Sequence, residues 1–573
     1  MQQHSSSYIV LIAFTAAIGG FLLGFDGSVI SGAAPFYKSV FGLEDGSILF
    51  GFSVSCLIWG CILGNFFAGP LSDKVGRKST LLIAAFLFIV SSLITALSTG
   101  IIIFITGRIL AGIAVGFAIL VAPVFIAEVA PPKKRGWLVS FNQLLIVIGL
   151  SSAYFVNYLI LKNVENPLTN WRWMLGVEAI PSILYFFLLL LIPESPRWLL
   201  MKGKKEEALS VLIKVNGTEF ATQELENIEK SIRQKKVMSN IEQAKEFFSK
   251  KMRLILLIAL GLGIFQQVSG INSVLYYAPM IFELAGSNRD AAFVQATAIG
   301  IVFLVVTIIA MFLIDRFGRK PLLYAGVSIM ALSLLITGLC FRQATYSVSN
   351  HKVEAIANEL FKSAIWKEAK EKYPELISYK SINIKENSAN IIKSDGSNID
   401  IDFADKKLIK FAKDKEIFLN RLSLLQAQTY NNESSFQKAV ITATGKIESF
   451  KEDTYLVMLV KACIQINSVL VLVSILAFIA GFSLSLGPVM WAIFSEIFPN
   501  KIRGIAISIA GTVNSFTSFV VATLFPFQLK IFGISLTFFI YAGCMFICLL
   551  FVWKFVVETK GKSLEEIEQL LVK

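Results

Sequence analysis

The feature that most limits what this chain can fold into is a succession of twelve apolar windows. They lie near residues 9–33, 47–69, 79–98, 101–127, 136–160, 172–192, 254–284, 292–314, 321–341, 459–494, 504–528 and 532–556. Crossing the hydrocarbon of a bilayer, ~30 Å, takes about 20 apolar residues as a helix, and each window suffices, some with length left for tilt. Within lipid every backbone N–H and C=O must be paired inside its own segment, so an all-α membrane protein is expected. Composition agrees: 55% of the 573 residues are hydrophobic and 16% are charged, against about 25% charged in a soluble chain. The first window lacks a basic leader and a small-residue cleavage site, so it is expected to persist as a helix.

The net charge of +13 is placed unevenly. Basic residues crowd the loops after windows 2 (Lys74, Arg77, Lys78), 4 (Lys133, Lys134, Arg135), 6, 8 (Arg316, Arg319, Lys320) and 10 (Lys501, Arg503), and the tail (Lys560, Lys562). By parity these loops share one face. The positive-inside rule makes it cytoplasmic, with both termini inside. A multi-pass protein of a cell membrane, such as the bacterial inner membrane, is expected, and the basic pI implies the lipid bilayer rather than nucleic acid as partner. All six cysteines (Cys56, Cys61, Cys340, Cys463, Cys544 and Cys548) lie in or beside the windows without zinc-site spacing. They read as packing residues, and no metal or cofactor is expected. The two histidines, His4 and His351, fall outside the spans and cannot form a relay within the membrane.

The chain repeats itself. "SDKVGRK" after window 2 is answered by "IDRFGRK" after window 8, aligning Asp73 with Asp315 and Arg77 with Arg319. "AEVAPPKKRG" after window 4 is answered by "SEIFPNKIRG" after window 10, with Glu128 seven residues before Arg135 and Glu496 seven before Arg503. Two parallel six-helix repeats follow, the major facilitator plan, with a substrate cavity between the halves. The expected division is 1–193 for the first half and 194–252 for a cytoplasmic linker with short amphipathic helices. Then come 253–342 for helices 7–9, 343–456 for an extracytoplasmic insert, 457–557 for helices 10–12 and 558–573 for a cytoplasmic tail. The insert carries 17 Lys/Arg against 16 Asp/Glu and no cysteine. Helical periodicity over 353–373 and alternation on either side of Asp395-Gly396 suggest a small folded unit. The charged loop residues, with Glu194 and Arg197 of "PESPRW", are expected to form cytoplasmic ion pairs that bridge the halves when the cavity opens outward.

Asp26, in "FLLGFDGSVISG", is an acid near the inner end of an otherwise apolar stretch. A carboxylate at the centre of a membrane helix costs roughly 2.5–3.5 kcal/mol on insertion scales, so it signals function. Helix 4 contains "GRILAGIAVG", which places Arg108 among small residues that permit close packing. Helix 7 offers Gln266, Gln267 and Asn272, with Tyr276 one turn beyond. Amides of this kind bind vicinal hydroxyls, and leaving them unpaired in a closed cavity costs about 1–3 kcal/mol each, which selects polyols.

"GRILAGIAVG", "PESPRWLL", "QQVSGINSVLYYAP", "GPVMW" and "VETKGKSLEEIE", in this order, resemble the sugar porter family of the major facilitators, over everything except the 343–456 insert. The resemblance implies alternating access and, as sugar contacts, Gln143, Gln266, Gln267, Asn272, Tyr276, Phe482, Gly487, Trp491 and Asn514. Asp26 matches the helix 1 acid of proton-coupled members, Arg108 its partner, and Glu178 an auxiliary acid. An arginine partner favours the ionised acid while burial favours the neutral one, and that competition makes a proton switch. The resemblance thus implies a proton-coupled symporter of a monosaccharide or polyol, not an enzyme. A facilitative uniporter and a proton-coupled inositol carrier are the nearest alternatives, and a non-transporting sugar receptor is a remote one, since the tails are short. An ATP-driven pump is disfavoured because no phosphate-binding loop motif occurs. The pattern departs from the family at Phe303, Ser515 and Leu150, where members often carry Asn, Trp and Gln, so glucose, another hexose, a pentose and inositol all stay open.

Overall fold

The computed structural model describes residues 2–573 apart from 45, 132–134, 165, 167, 235–239, 350–352, 355, 359, 361–378, 385–387, 394–397, 403–405, 427, 446–451, 500, 501, 563–565 and 568–573. The membrane helices are α1 (Gln2–Val40), α2 (Ile48–Val75), α3 (Arg77–Leu97), α4 (Ile101–Val129), α5 (Arg135–Asn163), α6 (Asn170–Leu191), α7 (Lys250–Tyr276, with an outer piece Ala278–Leu284), α8 (Arg289–Phe317), α9 (Arg319–Arg342) and α10 (Ser468–Ile497). The last stretch, Arg503–Phe555, is broken at Gly533 (φ 72°, ψ 165°) into α11 (503–532) and α12 (534–555). Eleven apolar stretches, the last crossing twice, give the twelve spans of a major facilitator.

The two "GRK" motifs owe their glycine to geometry. Gly76 (φ 107°) alone separates α2 from α3, and Gly318 (φ 94°) alone separates α8 from α9. A reversal this tight needs a left-handed backbone, which only glycine adopts freely. A Cβ at either position would also strike a carboxylate, Glu194 at 2.2 Å or Glu558 at 2.8 Å. Small residues likewise let α2 and α4 touch through their backbones: a Cβ on Gly112 would lie 2.1 Å from the Leu57 carbonyl oxygen. This is the close small-residue packing of membrane helices.

One core lies within the first half and its linker, a larger one joins the second half to first-half residues such as Val29, Val54, Tyr154 and Trp171, and the halves meet through α2 against α11 and α5 against α8. The meeting points cluster toward the face that carries the insert. The Ser55 and Thr523 hydroxyls are 2.6 Å apart, Tyr154 Oη donates to the Leu275 carbonyl at 2.6 Å, and Ser151 Oγ donates to that of Gly300 at 2.7 Å. At the opposite, basic face, the Arg77–Asp73, Arg77–Glu128 and Arg319–Glu496 pairs each stay within one half. The bundle is therefore closed on the insert side.

The linker forms three helices, Lys205–Asn216, Thr218–Gln234 and Asn240–Phe247, with Ala208, Leu212 and Leu225 packed onto the first half. The expected amphipathic stretches 204–215 and 219–234 fall on the first two.

Between α9 and α10 lies a separate α/β unit. Its entry strand β1 (Thr345–Ser347) pairs antiparallel with its exit strand, Ile464–Gln465, and with Thr429–Tyr430. Helices Lys406–Ser423, Glu433–Thr444 and Glu452–Cys463 close a core around Tyr346, Phe418, Phe436, Tyr455 and Leu459. The alternating stretch forms antiparallel strands Ser388–Lys393 and Asn398–Asp402, whose turn at 394–397 lies outside the described residues. A further strand, Tyr379–Ile384, joins them. Of the expected helix over 353–373, residues 361–373 also lie outside the described residues. The tenth window opens at 459, whereas α10 starts at Ser468. Leu459 and Cys463 face the insert core instead, because the exit strand pins them to β1.

Candidate transport site

Two buried polar clusters lie inside the bundle, one in each half. In the first, Asp26 of α1 is fully buried and Arg108 of α4 is 2% exposed. Arg108 donates through Nη1 to Asp26 Oδ1 and through Nη2 to the Asp26 carbonyl at 3.2 Å. Glu178, also buried, stands where α6 breaks between Asn170–Gly176 and Ala179–Leu191, within electrostatic reach of both. The cluster is under-satisfied: Asp26 Oδ2, Arg108 Nε and Glu178 Oε1 have no hydrogen-bond partner among the described residues. Unmade hydrogen bonds on buried charged groups are costly. With both carboxylates ionised beside the one guanidinium, the cluster would carry one negative charge in excess, which a single proton neutralises.

The second cluster is built on broken helices. α7 is helical over Arg253–Val268, turns at the left-handed Gly270 (φ 81°, ψ 13°), resumes over Ile271–Tyr276 and breaks again before Ala278–Leu284. The uninterrupted helix expected over 266–276 is thus replaced by two pieces, because the glycine of "SGIN" lets the chain turn. The turn folds Asn272 back onto Gln267, whose Oε1 accepts from Asn272 Nδ2 at 2.9 Å. Gln267 Nε2 donates to Gln266 Oε1 (3.0 Å) and to Asn514 Oδ1 (3.1 Å). Asn514 Nδ2 donates to Gln266 Oε1 (2.8 Å) and to the Gly263 carbonyl (2.8 Å). Gln266 Nε2 reaches the Leu486 carbonyl at 2.7 Å, where α10 itself breaks at Ser485. Ser518, which sequence reasoning missed, closes the network by accepting from Asn272 at 2.6 Å. It lies one turn beyond Asn514 on α11, and that spacing was its only sequence signal.

The remaining expected contacts sit on α5, α7 and α10. Tyr276, one turn past Asn272, is buried, and a Cβ on Gly27 would lie 4.0 Å from its hydroxyl, so it reaches the segment that carries Asp26. Phe482 packs against Phe303 with centroids 6.1 Å apart, and Gly487 fits beside the Phe482 ring, where a Cβ would lie 3.2 Å from it. Trp491 is 43% exposed and meets Phe494 edge-on. Among the described residues Gln143 has no hydrogen bond to the amides. It is exposed on the face of α5 that also carries Leu150 and Tyr154, the face turned to the other half.

At the basic face the two halves build the same device twice. Arg77 Nε and Nη2 grip Glu128 (3.0 and 3.2 Å), and Nη1 reaches Asp73 (2.9 Å). Glu194 Oε1 accepts from the backbone N–H groups of Arg77, Lys78 and Ser195. In the second half Arg319 grips Glu496 (2.7 and 3.1 Å), and Glu558 accepts from the N–H groups of Arg319, Lys320, Thr559 and Lys560. Ser195 and Thr559 each donate to the gripped glutamate. Glu558 and Thr559 therefore repeat Glu194 and Ser195, an equivalence legible in "PES" against "VET" but missed on the sequence. Burial pushes the Glu558 carboxyl up, but the four backbone donors outweigh it and hold it below the usual carboxylate range. Arg503 Nε donates to the Phe498 carbonyl (3.2 Å), and Arg197 sits half-buried in the helix Pro196–Met201. The side chains of Arg135 and Asp315 lie outside the described residues.

Comparison with known proteins agrees with this architecture. The family model described as "Sugar (and other) transporter" matches residues 12–360 and 453–571. The chain is 30% identical to the arabinose-proton symporter of Bacillus subtilis, covering 100% of this chain and 97% of that protein. It is also 30% identical to the D-xylose-proton symporter of Escherichia coli K12, over 99% and 96%, and 33% identical to the probable inositol transporter 2 of Arabidopsis thaliana, over 98% and 91%. Among solved structures it is similar to the inward-open conformation of the xylose transporter XylE from E. coli, with a TM-score of 0.68 and 29% identity over 98% of this chain and 100% of that one. With the fold, the internal repeat and these likenesses together, the chain belongs to the sugar (and other) transporter family of major facilitators.

Proposed function

We propose that the chain is a proton-coupled symporter that moves a monosaccharide into the cell by alternating access. The observation that carries this reading is the under-satisfied Asp26–Arg108–Glu178 cluster beside the amide network. A passive carrier has no need of a buried acid, and the cost of keeping one suggests that it is used. The basic face is read as cytoplasmic and the insert face as external, so the arrangement described here is the inward-facing one.

In the cycle, a proton taken from outside neutralises the excess charge of the cluster and loosens the hold of Arg108 on Asp26. That frees α1 to shift relative to α4. Sugar hydroxyls replace the internal bonds among Gln266, Gln267, Asn272 and Asn514, so recognition exchanges one satisfied network for another. Tyr276 adjoins both clusters and communicates occupancy of one to the other. The halves then rock about the cavity, and the Arg77–Glu128 and Arg319–Glu496 devices regroup across the halves while the outside is open. Gln143, Trp491 and the other expected sugar contacts are assigned to the pocket on this reading. The names of the relatives put arabinose and xylose first among substrates, and inositol is the second reading because of the plant relative.

Uptake into proteoliposomes, with and without an imposed pH gradient, tests the reading for wild type and Asp26→Asn across pentoses, hexoses and inositols. Gradient-driven accumulation by the wild type alone, with exchange retained by the variant, is expected. Uptake indifferent to the gradient would sink symport and leave a uniporter.

A further inference from the structure

We propose that the insert is a clamp on the outer gate, acting through Lys461 as a positioning residue for Glu283. Glu283 ends the outer piece of α7, Ala278–Leu284, and is 8% exposed. Lys461 Nζ, on the insert helix Glu452–Cys463, donates to Glu283 Oε2 at 2.8 Å. Arg289 Nε, at the start of α8, lies 3.6 Å from the other oxygen. The Arg289 guanidinium in turn sits 5.3 Å from the ring centroid of Phe36 on α1, and Lys38 of α1 is within electrostatic reach of both Glu283 and Lys461. One buried carboxylate thus joins three bodies: the first half, the second half and the insert.

The mechanics follow from how each body is held. The β1 pairing with Ile464–Gln465 makes a neck that fixes the insert to the ends of α9 and α10. The α7–α8 turn presses against that neck, since a Cβ on Gly286 would lie 3.1 Å from Ile464 Cγ2. The outer piece of α7 has breaks on its inner side and contacts the first half through Tyr277, whose ring packs on Phe50 at 5.9 Å. That piece must part from α1 and α2 when the outside opens. A neck-anchored lysine on its terminal carboxylate holds it in the closed position. The two side chains are 29% and 10% exposed, so the pair is only partly screened by water.

The inference rests on alternating access but not on proton coupling. In a background with the six cysteines replaced, Thr523→Cys places a thiol in the closed outer interface, and its rate of reaction with a membrane-impermeant maleimide added outside reports opening. Without any gradient, Lys461→Gln is expected to raise that rate roughly 5-fold or more, the low end of typical coupling between sites, while Lys461→Arg keeps the wild-type rate. Lys438→Gln, elsewhere on the insert, serves as the control for folding. A rate unchanged by Lys461→Gln but raised by Glu283→Gln would overturn the clamp and assign closure to Arg289 alone. A thiol that stays unreactive in every variant, with or without saturating arabinose, xylose or inositol, would overturn alternating access itself.

Discussion

The two buried polar clusters are opposites. The acid cluster of the first half is charged, with three polar atoms left unpaired around Asp26, Arg108 and Glu178. In the second half the network of Gln266, Gln267, Asn272, Asn514 and Ser518 is neutral and closes on itself. Under-satisfied buried charge is poised to change state when a proton arrives, whereas a satisfied network holds its donors in place until a ligand competes for them. On the proposed function, switching and recognition are thus separated by half, and Tyr276, one turn past Asn272, reaches the segment that carries Asp26.

The largest test of this division is loss of the charge. Asp26→Asn is expected to abolish accumulation, and the full effect is set by one proton moving through 100 mV, about 2.3 kcal/mol or roughly fifty-fold. Steady-state uptake against exchange measures it, and an equal loss of both would merge the two roles. Cutting the neutral network comes next. Gln267→Ala strands partners on Asn272 and Asn514, and is expected to weaken sugar binding by roughly 10- to 100-fold, from about 1–3 kcal/mol, while the gradient still drives what uptake remains. Calorimetric titration with the transported sugar reads the affinity.

The duplicated device at the basic face allows a finer comparison. Arg77 and Glu128 are 8% and 10% exposed, Arg319 and Glu496 16% and 21%. Breaking the better-buried pair leaves the less solvated charge, so Arg77→Ala is expected to cost more than Arg319→Ala, toward about 3–5 kcal/mol for the former. Thermal melts of the purified protein rank them, and equal losses would show that burial does not decide. The smallest effect belongs to Glu558. Its folded carboxyl titrates below its unfolded value, so its contribution is fully present above the ordinary carboxylate range and fades as pH falls through the lowered folded value. The melting-temperature gap between wild type and Glu558→Gln is expected to close on acidification; a gap constant with pH would deny the linkage.

Much of this was legible in the chain. Hydropathy marks crossings residue by residue, so the twelve spans and the repeat of Asp73–Arg77 in Asp315–Arg319 needed no coordinates. The amides of "QQVSGIN" and the lone acid of "FLLGFDG" stand out because polar groups in oily windows are costly and therefore few. Other features were not legible. Leu459 and Cys463 look like the start of a membrane helix, yet they pack the insert, since an apolar run does not say which core will take it. Glu558 looked like tail polarity until its carboxylate was found capping α9.

The sequence by itself determined the number of crossings, the parallel halves, the basic face and the residue types of both clusters, because each rests on local composition or spacing. Only the tertiary structure decided which groups meet. The fold-back of Asn272 onto Gln267 depends on the left-handed Gly270, the closure on the insert side on how α2 and α5 pack against α11 and α8, and the reach of Lys461 to Glu283 on a strand neck formed more than a hundred residues apart in the chain. Such partnerships depend on distances between helices, and no period in one dimension encodes them.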